Sequence, residues 1–156
     1  NLVDEALTNI STFRKDEGLS LDKEFRFRIE KIRNYMNQAV ALAPDRINAI
    51  KERLQNAIDE LKVNVDENRF EQELIFYLEK LDITEEKVRL GNHLDYFIQT
   101  MDGKEANGRK LGFITQEIGR EINTMGSKSN HAEMQKLVVM MKDELEKIKE
   151  QVLNVL

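Results

Sequence analysis

The segment from Met134 to Val155, MQKLVVMMKDELEKIKEQVLNV, decides the fold class. Its apolar residues recur alternately four and three positions apart, at Met134, Val138, Met141, Leu145, Ile148, Val152 and Val155. A strand exposed on one face would show a period of two, whereas this spacing is typical of a helix that packs along a seam against another helix. The seam alone leaves open whether that partner helix belongs to the same chain or to another subunit.

Helical spacing of apolar residues extends outward from this segment over nearly the whole chain. The 156 residues include one proline and seven glycines, so few positions interrupt helices. We therefore predict an all-α protein, built from long antiparallel helical hairpins and a helical C-terminal domain, with no substantial sheet.

Glycine, proline and capping residues predict where the helices begin and end. Gly18 is expected to end a short first helix, and Leu21 to open the second. Pro44 fits the first turn of a third helix, because its missing N–H would be unpaired there. The second and third helices are then expected to form a long antiparallel hairpin. The remaining predicted boundaries are N-caps at Asp66, at Thr84 and at Ser129 or Asn130, a loop over 102–107, and a helix from Arg109 to near Gly126.

Composition excludes several classes of protein. The longest apolar run, 137–141, is far too short to cross a bilayer, and no charged-then-apolar leader opens the sequence. We therefore expect a cytoplasmic protein with no membrane partner. Cysteine is absent, so any metal must be held by oxygen ligands or by the two histidines. The sequence opens at Asn1 without an initiator methionine, and we interpret it as part of a longer parent chain.

Charge limits how the chain can bind nucleic acid. Its net charge of −5 argues against a broadly basic binder, because phosphate affinity comes mainly from clustered lysine and arginine. Between Lys104 and Lys136, however, six basic residues outnumber four acidic ones. RNA binding is therefore expected only at this local patch.

The stretch GRKLGFITQEIGREINTMGSKS, residues 108–129, carries the candidate chemistry. With its apolar residues facing the core, Glu117, Arg120 and Glu121 fall on one adjoining helix face. Two carboxylates one turn apart repel each other unless a cation lies between them. That cation is either Arg120 or a divalent metal, with Gln116 or Asn123 as further oxygen ligands.

Ligands of this kind suit Mg²⁺ or Mn²⁺ better than zinc, and such an ion would activate water. The alternative is an ordinary surface row of ion pairs, which is what charges at this spacing on helices usually are. Arg109, Lys110 and Lys128 are candidates to bind phosphate, and the alternative is that they only solvate helix ends.

Three other polar residues, His93, Arg69 and Glu73, are weaker candidates for a function. His93 is the better histidine for proton transfer or metal binding, although a lone helical histidine is more often structural. Arg69 and Glu73, four residues apart, are best explained as a structural salt bridge. Gly112 and Gly119 weaken a helix, which a close approach of another helix or of a ligand would explain.

Several blocks, in this order and spacing, resemble the C-terminal signature of the YicC-like family of stress-induced endoribonucleases. They are ENRFEQEL (67–74), DITEE (82–86), RLGNHL (89–94) and the 108–129 stretch, followed by EQV (150–152). The resemblance is strong from about Glu67 to the C-terminus and weaker before it. The chain departs from the family pattern at Gly112, where an acidic residue is usual, and at Gly119, where asparagine is common.

The resemblance implies a parent protein that cuts RNA with a divalent cation, Mn²⁺ or Mg²⁺, and that assembles as a homo-oligomeric ring, with a hexamer as the candidate size. It divides the chain into 1–24, the end of the family's N-terminal region; 25–66, a long helical hairpin; and 67–156, the domain with the family motifs. Glu117, Arg120, Glu121 and His93 are then the expected catalytic residues, with the two glutamates on the metal. The other residues carried over are the phosphate-binding Arg69, Arg109, Lys110 and Lys128 and the supporting Glu73, Gln116, Asn123 and Ser127.

The competing hypothesis is a non-enzymatic module. In that interpretation the heptad helices mediate self-assembly or bind another protein, and the polar strip is an ion-pair network between helices.

Overall fold

The computed structural model describes residues 1–62, 64–104 and 107–155. These residues form five α-helices and no strand, which confirms the all-α prediction. In chain order the helices are α1 (Leu2–Leu61), α2 (Glu67–Leu81), α3 (Thr84–Met101), α4 (Gly108–Ser127) and α5 (Ala132–Val152). None of the described helices is both long enough and apolar enough to cross a membrane.

Four of the helices, α1, α3, α4 and α5, pack around one apolar core. Contacts between neighbouring helices show that α3 and α5 each run antiparallel to both α1 and α4. For example, Arg26 on α1 meets Asp102 after α3, whereas Arg46 meets Leu81 before it. The most deeply buried side chains are Phe97, Ile29, Ile32, Leu90, Leu94, Ile118, Ile122, Met125, Met134, Met141, Ile148 and Val138.

The seam of α5 is buried inside this bundle. From Met134 to Val152 all its predicted seam residues are buried, and α5 packs against α1 and α4 of the same chain. The sequence left open whether the partner of this seam belongs to the same chain or to another subunit. The structure shows that it belongs to the same chain.

One carboxylate interrupts the apolar interface between α1 and α5. Glu144 is only 5% exposed, and its Oε2 lies 2.8 Å from Nη1 of Arg28. Lys31 and Lys147 each approach the other carboxylate oxygen to 3.5 Å. Burial alone would raise the pKa of Glu144, but the hydrogen bond and charge of Arg28 hold that pKa below its ordinary value. The sequence analysis did not identify this cluster.

The predicted breaks at Gly18 and Pro44 were wrong, since α1 continues through both residues. Gly18 keeps a negative φ and so does not form a left-handed helix end. Pro44 sits inside the helix, where it removes one backbone hydrogen bond. Residues on both sides of the proline, Ala39 and Ile50, are buried.

The predicted hairpin therefore turns at a different place. Arg46 contacts the carbonyl of Leu81, and five residues join Leu61 to Glu67, so both ends of α2 are held close to α1. Since α2 and the part of α1 from Arg46 to Leu61 have nearly equal lengths, the two helices run in opposite directions with their ends close together. Among the described helices, however, α2 is not one of those that pack closely on α1. We call residues 47–61 and 67–81 the arm. Its half-buried residues recur mainly four apart, at Ile47, Leu54, Ile58, Phe70, Leu74 and Leu78.

The arm and the start of α1 expose much more apolar surface than the sequence predicted. Within α2 only Leu81 is buried, while Ile75 and Phe76 are more than half exposed. Residues 1–20 are exposed throughout, including apolar residues spaced as on one face of a helix, Leu2, Ala6, Leu7, Ile10 and Phe13.

The cap at Asp66 is confirmed, because its side chain accepts a hydrogen bond from the N–H of Asn68. The cap at Thr84 was wrong: Asp82 accepts bonds from both the N–H and the hydroxyl of Thr84. The caps at Ser129 and Asn130 were also wrong, since α5 begins after His131, and the Ser129 hydroxyl donates to a carbonyl of α4. Of the predicted loop at 102–107, residues 105 and 106 lie outside the described part of the chain.

Candidate functional site

Helix α4 has two flanks, one facing α5 and one facing α3. The glycines lie on the α5 flank, where a Cβ at Gly119 would come within 3.3 Å of Leu145 and one at Gly112 within 3.9 Å of Val152. The predicted close approach of another helix is therefore confirmed at Gly119, whereas at Gly112 an added Cβ would make only an ordinary van der Waals contact. The opposite flank of α4 meets α3 and carries the polar residues.

Two contacts mark the ends of this flank. At one end Nζ of Lys128 lies 2.7 Å from Oε1 of Glu86, and at the other Nζ of Lys110 lies 5.0 Å from the ring centre of Tyr96. Lys110 and Lys128 are eighteen residues apart, which is five full turns, so they lie on one line along α4. We call the surface along this line, together with the α3 residues opposite it, the α3–α4 edge.

Glu117 and Glu121 both belong to the α3–α4 edge. Each lies seven residues from one of the two lysines and is therefore only about 20° from the line that joins them. Glu121 is 8% exposed, and its carboxylate has no hydrogen bond or ion pair with any described residue. Glu117 is more exposed and pairs with Arg120 at 3.1 Å.

His93 lies on the side of α3 that faces this edge. It is seven residues from Glu86 and three from Tyr96, the two α3 residues whose contacts mark the ends of this edge. Because α3 and α4 are antiparallel, interpolation between those contacts places His93 opposite the turn of α4 that carries Glu117. The imidazole is half-buried and has no hydrogen bond within the described ranges.

The remaining predicted residues of α4 lie on its outer face, away from α3 and α5. Arg120 is 73% exposed and pairs only with Glu117 among the described residues. Arg109 stacks over Phe113, with its guanidinium carbon 6.0 Å from the ring centre. The Ser127 hydroxyl donates to the backbone of Asn123. The strip predicted from sequence is thus divided, because Glu121 turns toward α3 while Arg120, Gln116, Asn123 and Ser127 face solvent.

Arg69 and Glu73 lie apart from the other predicted residues. Both are exposed on α2, in the arm, and the structure describes no ion pair between them, so the salt bridge favoured from sequence is absent. Arg69 lies twelve residues from the junction with α3, which corresponds to about 18 Å along the helix.

Sequence analysis missed Arg46 and Glu86, which hold the base of this site. Arg46 is 3% exposed and Glu86 4% exposed, and Glu86 pairs with Lys128. Lys128 was predicted to bind phosphate, but its ammonium already contacts Glu86 and the carbonyl of Asp82. Glu86 could have been identified from its spacing, since it lies four residues before the core residue Leu90.

Two carboxylates form a limited but usable set of metal ligands. Within residues 1–62, 64–104 and 107–155 no three aspartate, glutamate or histidine side chains are grouped closely enough to hold an ion by themselves. Mg²⁺, however, is commonly held by one or two carboxylates while water and substrate phosphate complete its shell. Glu117 and Glu121, one turn apart on one edge, fit that mode of binding.

Comparison with known proteins gives a consistent result. The family model for the C-terminal domain of YicC-like endoribonucleases matches residues 39–156. The chain is 36% identical over 156 residues to a probable endoribonuclease YicC of Clostridioides difficile, covering 98% of this chain and 53% of the relative. It is 32% identical over 151 residues to one of Haemophilus influenzae, covering 97% of this chain and 53% of the relative. The chain thus spans about half the length of both relatives.

Proposed function

Because this chain belongs to the YicC-like endoribonuclease family, we propose that its parent protein cleaves RNA phosphodiester bonds and that the α3–α4 edge contributes the cleavage site. The observation that carries the proposal is Glu121, whose side chain is held at the interface between α3 and α4 without a described ion pair, one turn from Glu117. Two carboxylates at this spacing repel each other, and a cation bound between them would compensate the repulsion.

The cation proposed here is Mg²⁺ or Mn²⁺. When bound, it would lower the pKa of a coordinated water and polarise a phosphoryl oxygen. Glu121 is fixed in the interface between α3 and α4, and Glu117 is free to leave Arg120, because that exposed ion pair is weak. The two side chains would therefore close on the ion without any rearrangement of the helices.

The other residues of the edge would bind and orient the RNA. Lys110 presents a cation beside the ring of Tyr96, where phosphate and an unstacked base have neighbouring binding surfaces. Arg109 lies outside this edge, exposed on the outer face of α4 beside Lys110, and would add a second phosphate contact. His93, opposite Glu117, would move a proton to or from the cleaved bond.

The test is a cleavage assay with the parent protein and an end-labelled RNA, with Mn²⁺, Mg²⁺ or chelator. We expect cation-dependent cleavage by the wild type and a loss of at least about 100-fold in the Glu117→Gln/Glu121→Gln variant. The matched control is Glu146→Gln/Glu150→Gln, which removes two exposed glutamates with the same spacing from α5. Equal cleavage by the first variant and the wild type would refute the assignment.

We also propose that copies of the parent assemble into a cytoplasmic homo-oligomeric ring, for which a hexamer is the candidate size. Its support is the exposed apolar surface at the start of α1, where Leu7, Ile10 and Phe13 are each more than half exposed. The same surface favours the second candidate function, a self-assembly module without catalysis. If the parent forms oligomers but cuts no RNA with Mn²⁺, with Mg²⁺ or with chelator, the self-assembly module is the better explanation.

A further inference from the structure

The arm leaves the bundle at a weak point of α1. Pro44 has no N–H to bond the carbonyl of Val40, and a proline inside a helix is a usual place for bending. Beyond it, the buried residues among the described residues of the arm are Ile50 and Leu81. Both lie near the base of the arm, so packing along the rest of the arm does little to fix its direction relative to the bundle.

Contacts at the base of the arm compensate for this weakness. Arg46, two residues after the proline, donates to the carbonyl of Leu81 through Nη2 and to the carbonyl of Lys128 through Nη1, the latter at 2.8 Å. Lys128 in turn donates to the carbonyl of Asp82 at 3.1 Å and pairs with Glu86. Two cations from α1 and α4 thus hold two consecutive carbonyls where α2 meets α3.

Arg46 is unusual for a buried arginine, because its described contacts are with carbonyls and include no carboxylate. Burial lowers the pKa of its guanidinium below the ordinary value, and the nearby charge of Asp82 opposes that effect. Removing the side chain would take its donors from the carbonyls of Leu81 and Lys128. Arg46 therefore connects three parts of the chain that meet at the base of the arm.

We propose that Arg46 and Lys128 are positioning residues that fix the direction of the arm and thereby place Arg69 for contact with RNA. The part of this inference that concerns RNA rests on the proposed function. Arg69 lies about 18 Å from the junction along α2, so a tilt of about 10–20° at the base would move it by about 3–6 Å. A displacement of that size would break a phosphate contact without changing any residue of the α3–α4 edge.

The direction of the arm can be measured without any nuclease activity. The chain has no native cysteine, so spin labels at Gln72→Cys on α2 and Lys136→Cys on α5, both exposed positions, report one distance. We expect a narrow distance distribution in the otherwise unchanged chain, and a distribution at least twice as broad after Arg46→Met. Lys128→Met, at a less buried residue, provides a second test with the same expected result. If Arg46→Met does not fold, the result for Lys128→Met decides. Unchanged distributions in the folded variants would overturn the proposal.

Activity then tests the role in RNA binding. In the parent, Arg46→Met is expected to raise KM at least 5-fold with a smaller change in kcat. Arg69→Ala is then expected to raise KM less in the Arg46→Met variant than in the wild type. Independent effects of the two substitutions would overturn this role for Arg69. If the parent cuts no RNA, the proposed function fails, whereas the distance measurement still decides whether Arg46 and Lys128 position the arm.

Discussion

Replacing Glu144 by alanine is expected to destabilise the protein strongly. The substitution removes a carboxylate that is 5% exposed and leaves the Arg28 guanidinium, itself only 20% exposed, without its main partner. Breaking a buried pair in this way costs about 3–5 kcal/mol, and the residual exposure of Arg28 favours the lower end of that range. A loss of about 3 kcal/mol corresponds to a fall in Tm of about 6–12 °C for a chain of this size.

Urea denaturation followed by circular dichroism provides the measurement, with Arg28→Met and the double variant as companions. Since the double variant leaves neither Glu144 nor Arg28 unpaired, it should lose at least about 1 kcal/mol less than the two single variants together. A loss below about 1 kcal/mol for Glu144→Ala, or strictly additive effects, would refute the argument that this ion pair is a coupled, buried contact.

The dependence on pH gives an independent check. The pKa of Glu144 is lowered in the folded state, so its stabilising contribution is present above the unfolded-state value of about 4.3 and is lost as pH falls through the folded-state value. The difference in unfolding free energy between wild type and Glu144→Ala should therefore shrink between pH 7 and pH 3. A constant difference over that range would contradict the assigned cause.

Three further substitutions test other parts of the structure by the same denaturation measurement. Gly91→Ala should stabilise by about 1 kcal/mol, because nothing lies within 4 Å of the added Cβ and alanine favours the helix; a loss of stability would show that the site is tighter than described. Ile118→Ala, at a fully buried position, should cost about 2–5 kcal/mol, whereas Val88→Ala, at an exposed one, should change stability by less than about 0.5 kcal/mol; equal effects would contradict the core assignment. Asp82→Ala should cost about 1 kcal/mol by removing the cap of α3, and no loss would argue that the hydrogen bonds to Thr84 are dispensable.

The sequence predicted the bundle well because apolar spacing determines which helix face is buried. The seam from Met134 to Val152 and the stripe from Leu111 to Met125 are both buried as expected. The same reasoning misplaced the hairpin turn, since α1 continues through Gly18, in an exposed stretch, and through Pro44, between the buried residues Ala39 and Ile50. It also overestimated the burial of the arm, whose apolar residues have helical spacing but remain mostly half-buried or exposed.

The candidate site was only partly predictable for a related reason. Helical spacing placed Glu117 and Glu121 near each other, but it could not show that Glu121 faces α3 while Arg120 faces solvent, because that depends on how α3 and α4 are oriented. The role of Arg46 was not accessible at all, since its partners are backbone carbonyls of residues 35 and 82 positions away. Such contacts leave no pattern of residue types in the sequence.

The most direct test of the account is to count Mn²⁺ ions bound to this chain, from the electron paramagnetic resonance signal of the free ion during titration. We expect one site per chain in the wild type, its loss in Glu117→Gln/Glu121→Gln, and its retention in Glu146→Gln/Glu150→Gln. Saturating Mn²⁺ at about 100 times its Kd should also raise the unfolding free energy of the wild type by about 2.7 kcal/mol. The same binding by the wild type and by Glu117→Gln/Glu121→Gln would contradict the claim that these two glutamates hold the cation.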